Sequence, residues 1–450
     1  MTARSETAQS PFDYLIEPGG RLSGRVRVPG DKSISHRCVM LGALARGQTR
    51  VSGLLEGEDV LATLAAFRAM GVEADGPRDG SLLIRGAGLH GLRPPAAALD
   101  MGNSGTAMRL MAGILSGQAF DSVLTGDESL SNRPMGRVAE PLSAMGARIE
   151  TAAGGKPPLR IHGGQRLCGI DYRLPVPSAQ VKSALLLAGL YAEGVTRVSE
   201  PAPTRDHTER MLRGFGYPVQ TEGSTISLRG GGALTACAID VPADISSAAF
   251  FLVGAAMTPG SDLLLEHVGV NPTRIGVLNI LRAMGAAIEV VNERMIGGEP
   301  VADLRVTGSR LRGIDIPQDQ VPLAIDEFPA LFIAAASAEG QTRLAGAGEL
   351  RVKESDRIAV MAEGLMRLGV DTQETPDGII IQGGGLGFSR AGVDVDSGGD
   401  HRVAMAFAMA ALRAGGSIRV RDCRNVATSF PGFAALARGT GLAIRAIDPD

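Results

Sequence analysis

Six short stretches decide how this chain folds: Arg68-Ala-Met-Gly71, Ser143-Ala-Met-Gly146, Arg213-Gly-Phe-Gly216, Arg282-Ala-Met-Gly285, Met366-Arg-Leu-Gly369 and Arg438-Gly-Thr-Gly441. Their glycines are spaced 75, 70, 69, 84 and 72 residues apart. Each closes an apolar-periodic stretch and precedes a short β-prone segment, such as Ala147-Arg-Ile-Glu150 or Ala286-Ala-Ile-Glu-Val290. A glycine in that place is expected to be a helix C-cap leading into a strand.

The unit also has a recurring beginning, in which a strand end runs through a turn of small residues into an Ala/Leu-rich helix. Val28-Pro-Gly-Asp-Lys-Ser33 and Val241-Pro-Ala-Asp-Ile-Ser246 are near twins. Equivalent starts occur at Met101-Gly-Asn-Ser-Gly-Thr106, Val176-Pro-Ser-Ala-Gln180, Ile325-Asp-Glu-Phe328 and Gly399-Asp-His-Arg402. A Gly-marked turn and a β-branched run follow each helix, as in Gly47-Gln-Thr-Arg-Val51. The unit therefore predicts strand, helix, strand, helix, strand. Six units of about 70 residues are too long for a solenoid repeat, and 450 residues exceed what one hydrophobic core usually serves. Two α/β domains of three units each are expected. The twin starts at Val28 and Val241 place two chain crossings, giving one domain over 31–243 and a discontinuous one over 12–30 plus 244–450, after a tail of 1–11. The cleft between domains is then the expected ligand site.

Composition narrows the function. Hydrophobic residues make up 44% and charged residues 21%, so a globular fold is expected. A net charge of -3 argues against a nucleic-acid binder, which normally shows a basic surface. The longest apolar runs, such as Ala248 to Met257, are too short to span a bilayer, and the first fifteen residues do not resemble a secretory or transit signal. The cytoplasm is the expected location. Cys38, Cys168, Cys237 and Cys423 lie far apart, and the six histidines are scattered, so buried free thiols are expected and a metal site is not. Without heptads or a long exposed apolar strip, a monomer is expected.

Cations gather at the helix starts of this acidic chain: Lys32 with Ser33 and Arg37, Arg109 after the Gly-Asn-Ser-Gly-Thr turn, Lys182 after Gln180, and Arg402 after Asp400-His401. A helix N-terminus already favours an anion through its unpaired N–H groups and dipole, and an added cation strengthens that preference. One such cation would ordinarily be a solvated surface charge; repetition at equivalent positions points to several small anionic groups. Lys32, Ser33 and Arg37 share a first helical turn, as a phosphate or carboxylate clamp would. Neither G-x-x-x-x-G-K-[ST] nor G-x-G-x-x-G occurs there, so ATP and NAD are not expected. Glu349-Leu-Arg-Val-Lys-Glu-Ser-Asp-Arg357 mixes cations with carboxylates just before a helix, a combination able to hold anions and move protons. Asp326, behind apolar Pro322-Leu-Ala-Ile325, is either an acid-base group or a plain N-cap.

At these residues the sequence resembles the EPSP synthase family, from about Gly20 to Ile444. The likeness rests on Pro29-Gly-Asp-Lys-Ser-Ile-Ser-His-Arg37, Gly102-Asn-Ser-Gly-Thr-Ala-Met-Arg109, Asn132-Arg-Pro-Met135, Pro177-Ser-Ala-Gln-Val-Lys182, Arg351-Val-Lys-Glu-Ser-Asp-Arg357, Asp400-His-Arg402 and Thr428-Ser-Phe-Pro431. The resemblance implies an enolpyruvyltransferase fold, with three βαβαββ units per domain and the active site in the interdomain cleft. The implied reaction moves the enolpyruvyl group of phosphoenolpyruvate to the 5-hydroxyl of shikimate 3-phosphate, without a cofactor. By the same resemblance Lys32, Ser33, Arg37, Ser178, Gln180, Arg205, Asp326 and Lys353 would hold shikimate 3-phosphate. Lys32, Gly105, Arg133, Gln180, Arg357 and Arg402 would hold phosphoenolpyruvate. Asp326 would take the hydroxyl proton, with Glu354 and Lys32 serving proton traffic at C3.

Two positions depart from the family pattern, Leu110 where many members have Pro and Thr428 where many have Lys. The missing lysine would place more of the phosphoenolpyruvate charge on Arg357 and Arg402. Leu110 would shift the turn that carries Gly105 and weaken inhibition by glyphosate, while the absence of a Cβ at Gly105 leaves room for that inhibitor. The alternatives are a UDP-N-acetylglucosamine enolpyruvyltransferase and a noncatalytic anion-binding protein on the same scaffold. The first usually presents a loop cysteine, absent from Leu124 to Met135, and the second needs no paired acid and base.

Overall fold

The six signature glycines all lie one or two residues beyond a helix end with positive φ, from 78° at Gly216 to 120° at Gly441. Each donates its N–H to the carbonyl of the first residue of its own signature, for example Gly71 to Arg68 at 3.0 Å and Gly285 to Arg282 at 2.9 Å. A side chain there would meet the left-handed backbone penalty, which is why glycine recurs. The computed structural model describes residues 11–385, 387, 388, 390 and 392–449, so the expected tail over 1–11 falls, except for residue 11, outside the described residues.

The described chain divides into two units, one of Gly30–Val241 with Met295–Glu299, the other of Met1–Pro29, Pro242–Arg294 and Pro300–Asp450. Each contains three small sheets. In the first unit the pattern is plainest over residues 99–162. Strand Leu99–Asp100 lies parallel to Ser122–Thr125 across helix Gly105–Ser116; helix Gly136–Ala144 follows, and Arg148–Ala152 with Lys156–His162 closes the sheet as a hairpin. Asp171–Arg173 through Thr225–Arg229 repeats this order. Where the signatures and β-prone runs predict one closing strand, the sheets have this two-stranded hairpin, whose second strand is the one that pairs with the sheet's parallel strands.

The twin starts at Val28 and Val241 mark an exchange of strands. Ser23–Val26 leads in sequence to helix Lys32–Leu44 but pairs in parallel with Asp262–Gly269. Ala238–Asp240 leads to helix Ile245–Met257 but pairs in parallel with Ala45–Ser52. The N-terminal strand Asp13–Ile16 fits antiparallel between Ile418–Arg421 and Ile444–Ile447 and completes the last sheet. Pro18-Gly-Gly20, with φ of 80° and 96° at its glycines, separates this strand from Ser23–Val26.

In each unit the first helix of every repeat is buried nearly all round. Lys32–Leu44, Gly105–Ser116 and Ala179–Gly189 form the centre of one core, Ile245–Met257, Phe328–Ser337 and His401–Ala410 that of the other. Their Ala, Leu and Gly content allows close approach: a Cβ on Gly113 would lie 2.2 Å from the Ala184 carbonyl oxygen. Each fully buried leucine, such as Leu185, Leu186 or Leu187, contributes roughly 2 kcal/mol. The second helices, such as Glu58–Ala69 and Arg357–Arg367, bury one face only. No helix among the described residues is long and apolar enough to cross a membrane.

Candidate active-site residues

In the first unit the three central helices begin beside cations. Asp31 caps Lys32–Leu44 by accepting the Ile34 N–H at 2.8 Å, Ser104 caps Gly105–Ser116, and Ser178 caps Ala179–Gly189. Lys32 Nζ is 3.0 Å from Asp59 Oδ2. Arg37 reaches back one turn, donating to the Ser33 carbonyl at 2.9 Å, to Thr208 Oγ1 at 2.7 Å and to Ser183 Oγ at 2.9 Å. Burial lowers its guanidinium to about 10, against the opposing pull of Glu209 and Asp31, so it remains a cation at neutral pH. Arg205, partly buried, is near enough for its charge to disfavour that of Arg37.

A second group joins two helix starts. Arg109 donates to Gln180 Oε1 and to the Pro134 carbonyl, while Gln180 Nε2 donates to Thr106 Oγ1 at 2.9 Å. Arg133 is held by Asn103 Oδ1 at 2.7 Å and Ser129 Oγ at 3.2 Å. A Cβ on Gly105 would stand 3.0 Å from Arg109 Nη1 and 3.3 Å from Arg133 Nη1, so this glycine lies directly against two guanidinium groups. Leu110 is fully buried in the same helix. Behind this surface His36 is wholly buried, its Nδ1 2.8 Å from Thr63 Oγ1 and its Nε2 3.3 Å from Ser104 Oγ. Burial, with Lys32 and Arg37 nearby, holds its pKa well below the ordinary imidazole range, so it is neutral.

Lys182 does not join these cations. It points into the core, 2.8 Å from both Glu200 and Glu209, because two residues along a helix turn it to a different face from Gln180. Thr204 in turn donates to Glu200, fixing the segment that carries Arg205.

In the second unit the residues converge on Arg357, which is 1% exposed. Its Nε is 2.8 Å from Asp400 Oδ2, Nη2 binds Glu354, and Nη1 is 3.5 Å from Asp326 Oδ1. Burial alone would lower its pKa; the coulombic pull of Asp400, Glu354 and Asp326 outweighs burial and raises it. Lys353 Nζ is 3.3 Å from Asp326 Oδ1, and Arg402 donates to the Asp326 carbonyl at 3.1 Å. Asp326 is therefore not a plain N-cap; the cap position of Phe328–Ser337 is Glu327, which makes no side-chain capping bond. The Thr428 hydroxyl bonds the Asn425 carbonyl at 2.7 Å and offers nothing in place of a lysine.

Asp59, Thr208, Ser183 and Asp400 orient the site cations and were not singled out from sequence. Only Asp400 carried a signal, as a helix-start carboxylate beside Arg402; the others come from second helices or helix interiors. Among the cysteines, Cys38 and Cys423 are buried, whereas Cys168 is exposed and Cys237 half-buried, which corrects the expectation of four buried thiols.

The sequence model of the family EPSP synthase (3-phosphoshikimate 1-carboxyvinyltransferase) matches residues 16–436. A 3-phosphoshikimate 1-carboxyvinyltransferase of Methylococcus capsulatus is 67% identical, over 96% of this chain and 98% of its own. That of Nitrosococcus oceani is 64% identical over 99% of each. The solved EPSP synthase of Acinetobacter baumannii, at 60% identity, superposes with a TM-score of 0.87 over 97% of this chain and 100% of that one. An enolpyruvyl transferase of Streptomyces tendae shares the fold at 18% identity, with a TM-score of 0.79 over 98% of this chain and 100% of that one.

Proposed function

This chain belongs to the EPSP synthase family, and we infer from that membership and from its cation sets that it transfers the enolpyruvyl group of phosphoenolpyruvate to the 5-hydroxyl of shikimate 3-phosphate. Each substrate carries a carboxylate and a phosphate, so about four anionic groups have to be neutralised, and forked guanidinium groups suit them. Lys32, Ser33, Arg37, Ser178, Gln180, Arg205, Asp326 and Lys353 hold shikimate 3-phosphate in this reading. Lys32, Arg133, Gln180, Arg357 and Arg402 hold phosphoenolpyruvate, with Gly105 leaving it space.

The 5-hydroxyl oxygen adds to C2 of phosphoenolpyruvate, its proton passes to Asp326, and C3 gains a proton by way of Glu354 and Lys32. The adduct then loses phosphate from C2 and a proton from C3, leaving the enol ether. The observation that carries this reading is the cluster of Asp326, Lys353, Glu354 and Arg357, two carboxylates and two cations within single contacts of one another. An ionised Asp326 has Lys353 and Arg357 as counter-ions and accepts a proton in that state. The cations also stabilise the charge of the adduct.

Phosphate release from phosphoenolpyruvate tests the reading. Release that depends on shikimate 3-phosphate and is lost in Asp326→Ala is expected. Release with UDP-N-acetylglucosamine instead would assign the protein to the alternative transferase, and release with neither acceptor would leave a noncatalytic binder.

A further inference from the structure

The repeat makes Asp244-Ile-Ser246 the counterpart of Asp31-Lys-Ser33, yet the two helix starts are used differently. Asp244 still caps its helix, accepting the Ser246 N–H at 2.9 Å. Ile245 replaces the lysine and is buried. Beside this helix start lies a carboxylate of the chain itself: Ser246 Oγ donates to Glu327 Oε1, and Arg274 Nη2 is 2.7 Å from Ser246 Oγ, 3.3 Å from Asp244 Oδ1 and 3.6 Å from Glu327 Oε1. The Glu327 side chain is 0% exposed, so solvent does not compete for it.

Glu327 directly follows Asp326 and occupies the cap position of Phe328–Ser337 without capping it. A buried carboxylate next to a hydrophobic helix is costly unless it is engaged, and this one engages a different helix through Oε1 while its Oε2 is buried without a hydrogen-bond partner among the described residues. The backbone at 326–327 is thereby pinned twice, by Arg402 on the Asp326 carbonyl and by Ser246 and Arg274 on the Glu327 side chain. Lys353 and Arg357 then meet an Asp326 carboxylate whose main chain is anchored on both sides.

We propose that Glu327 is a built-in anion, placed at a helix start whose near twin carries Lys32, and that with Ser246 and Arg274 it acts as a positioning residue for Asp326. The proposal rests on the reading of Asp326 as the acceptor of the hydroxyl proton. Displacing such a group by about 1 Å costs up to roughly 100-fold in rate while leaving substrate binding largely intact.

Rates with phosphoenolpyruvate and shikimate 3-phosphate, measured on full-chain variants shown to be folded by circular dichroism, test it. Glu327→Ala is expected to lower kcat by roughly 10- to 100-fold with both KM values within about threefold. Acetate replaces the CH2–COO− group removed and should restore much of kcat, whereas neutral acetamide should not. Ser246→Ala keeps every charge and removes two hydrogen bonds, the one Ser246 donates to Glu327 and the one it accepts from Arg274, so kcat should fall by at least roughly fivefold; it carries the test if Glu327→Ala does not fold. Asp326→Asn separates the two ideas, since an unchanged kcat there would remove the role of Asp326 and this inference with it. Loss in Asp326→Asn beside wild-type kcat in folded Glu327→Ala or in Ser246→Ala would overturn the positioning role alone. A loss in Glu327→Ala that acetate does not restore would do the same.

Discussion

Replacing Gly105 by Ala separates the space a residue leaves from the backbone freedom it provides. Gly105 is the first residue of its helix and its φ is not positive, so alanine meets no backbone strain there. By lowering the entropy of the unfolded chain it should stabilise the fold by about 0.4–1 kcal/mol. The added Cβ, however, would lie 3.0 Å from Arg109 Nη1 and 3.3 Å from Arg133 Nη1. Ordinary contact requires at least about 3.5 Å, so the Arg109 tip has to retreat by roughly 0.5 Å. That tip is tied to Gln180 Oε1 and the Pro134 carbonyl, so it cannot swing away without weakening a charge-assisted hydrogen bond. Gln180, a proposed phosphoenolpyruvate ligand, is displaced with it, and partial loss of its hydrogen bond to the bound substrate costs about 1–2 kcal/mol, roughly a 5- to 30-fold rise in KM for phosphoenolpyruvate. The glyphosate inhibition constant should rise at least as much, because the inhibitor competes for the same space. Steady-state kinetics with both ligands, beside a thermal melt, would check this. A KM and inhibition constant within twofold of wild type in a protein that melts no lower would refute the reasoning, and a melting point several degrees lower would place the clash in folding instead.

The buried neutral His36 gives a pH signature. Its folded pKa lies below the unfolded one, so between the two the unfolded chain binds the extra proton, and stability falls as pH drops below about 6.5, by up to roughly 1.4 kcal/mol per unit. Urea unfolding of His36→Asn at pH 7 and pH 5 should show a smaller acid loss than wild type; equal losses would mean that His36 is not the group responsible. Lys182→Met should cost about 3 kcal/mol or more, since it leaves Glu200 and Glu209 buried without their common counter-ion. A denaturant midpoint unchanged in that variant would show that the pair does not need the ammonium.

The sequence by itself determined the repeat and its chemistry-bearing turns. Gly71, Gly146, Gly216, Gly285, Gly369 and Gly441 were legible because left-handed helix ends accept few other residues, and local backbone rules act within a few positions along the chain. The six central helices were legible as Ala/Leu-rich runs behind small-residue turns, and each begins within a few residues of where those turns place it. Only the tertiary structure decided what each charged side chain touches. Lys182 and Lys32 look alike as helix-start cations, yet one is locked between two glutamates and the other lies against Asp59, because a shift of a few positions along a helix turns a side chain from the N-terminal edge into the core. The exchange of Ser23–Val26 and Ala238–Asp240 between sheets left only the twin turns as a trace, and the Asp244, Ser246, Arg274 and Glu327 network left less. Its members are separated by up to 83 residues, and nothing local to any one of them requires the others; packing alone brings them together.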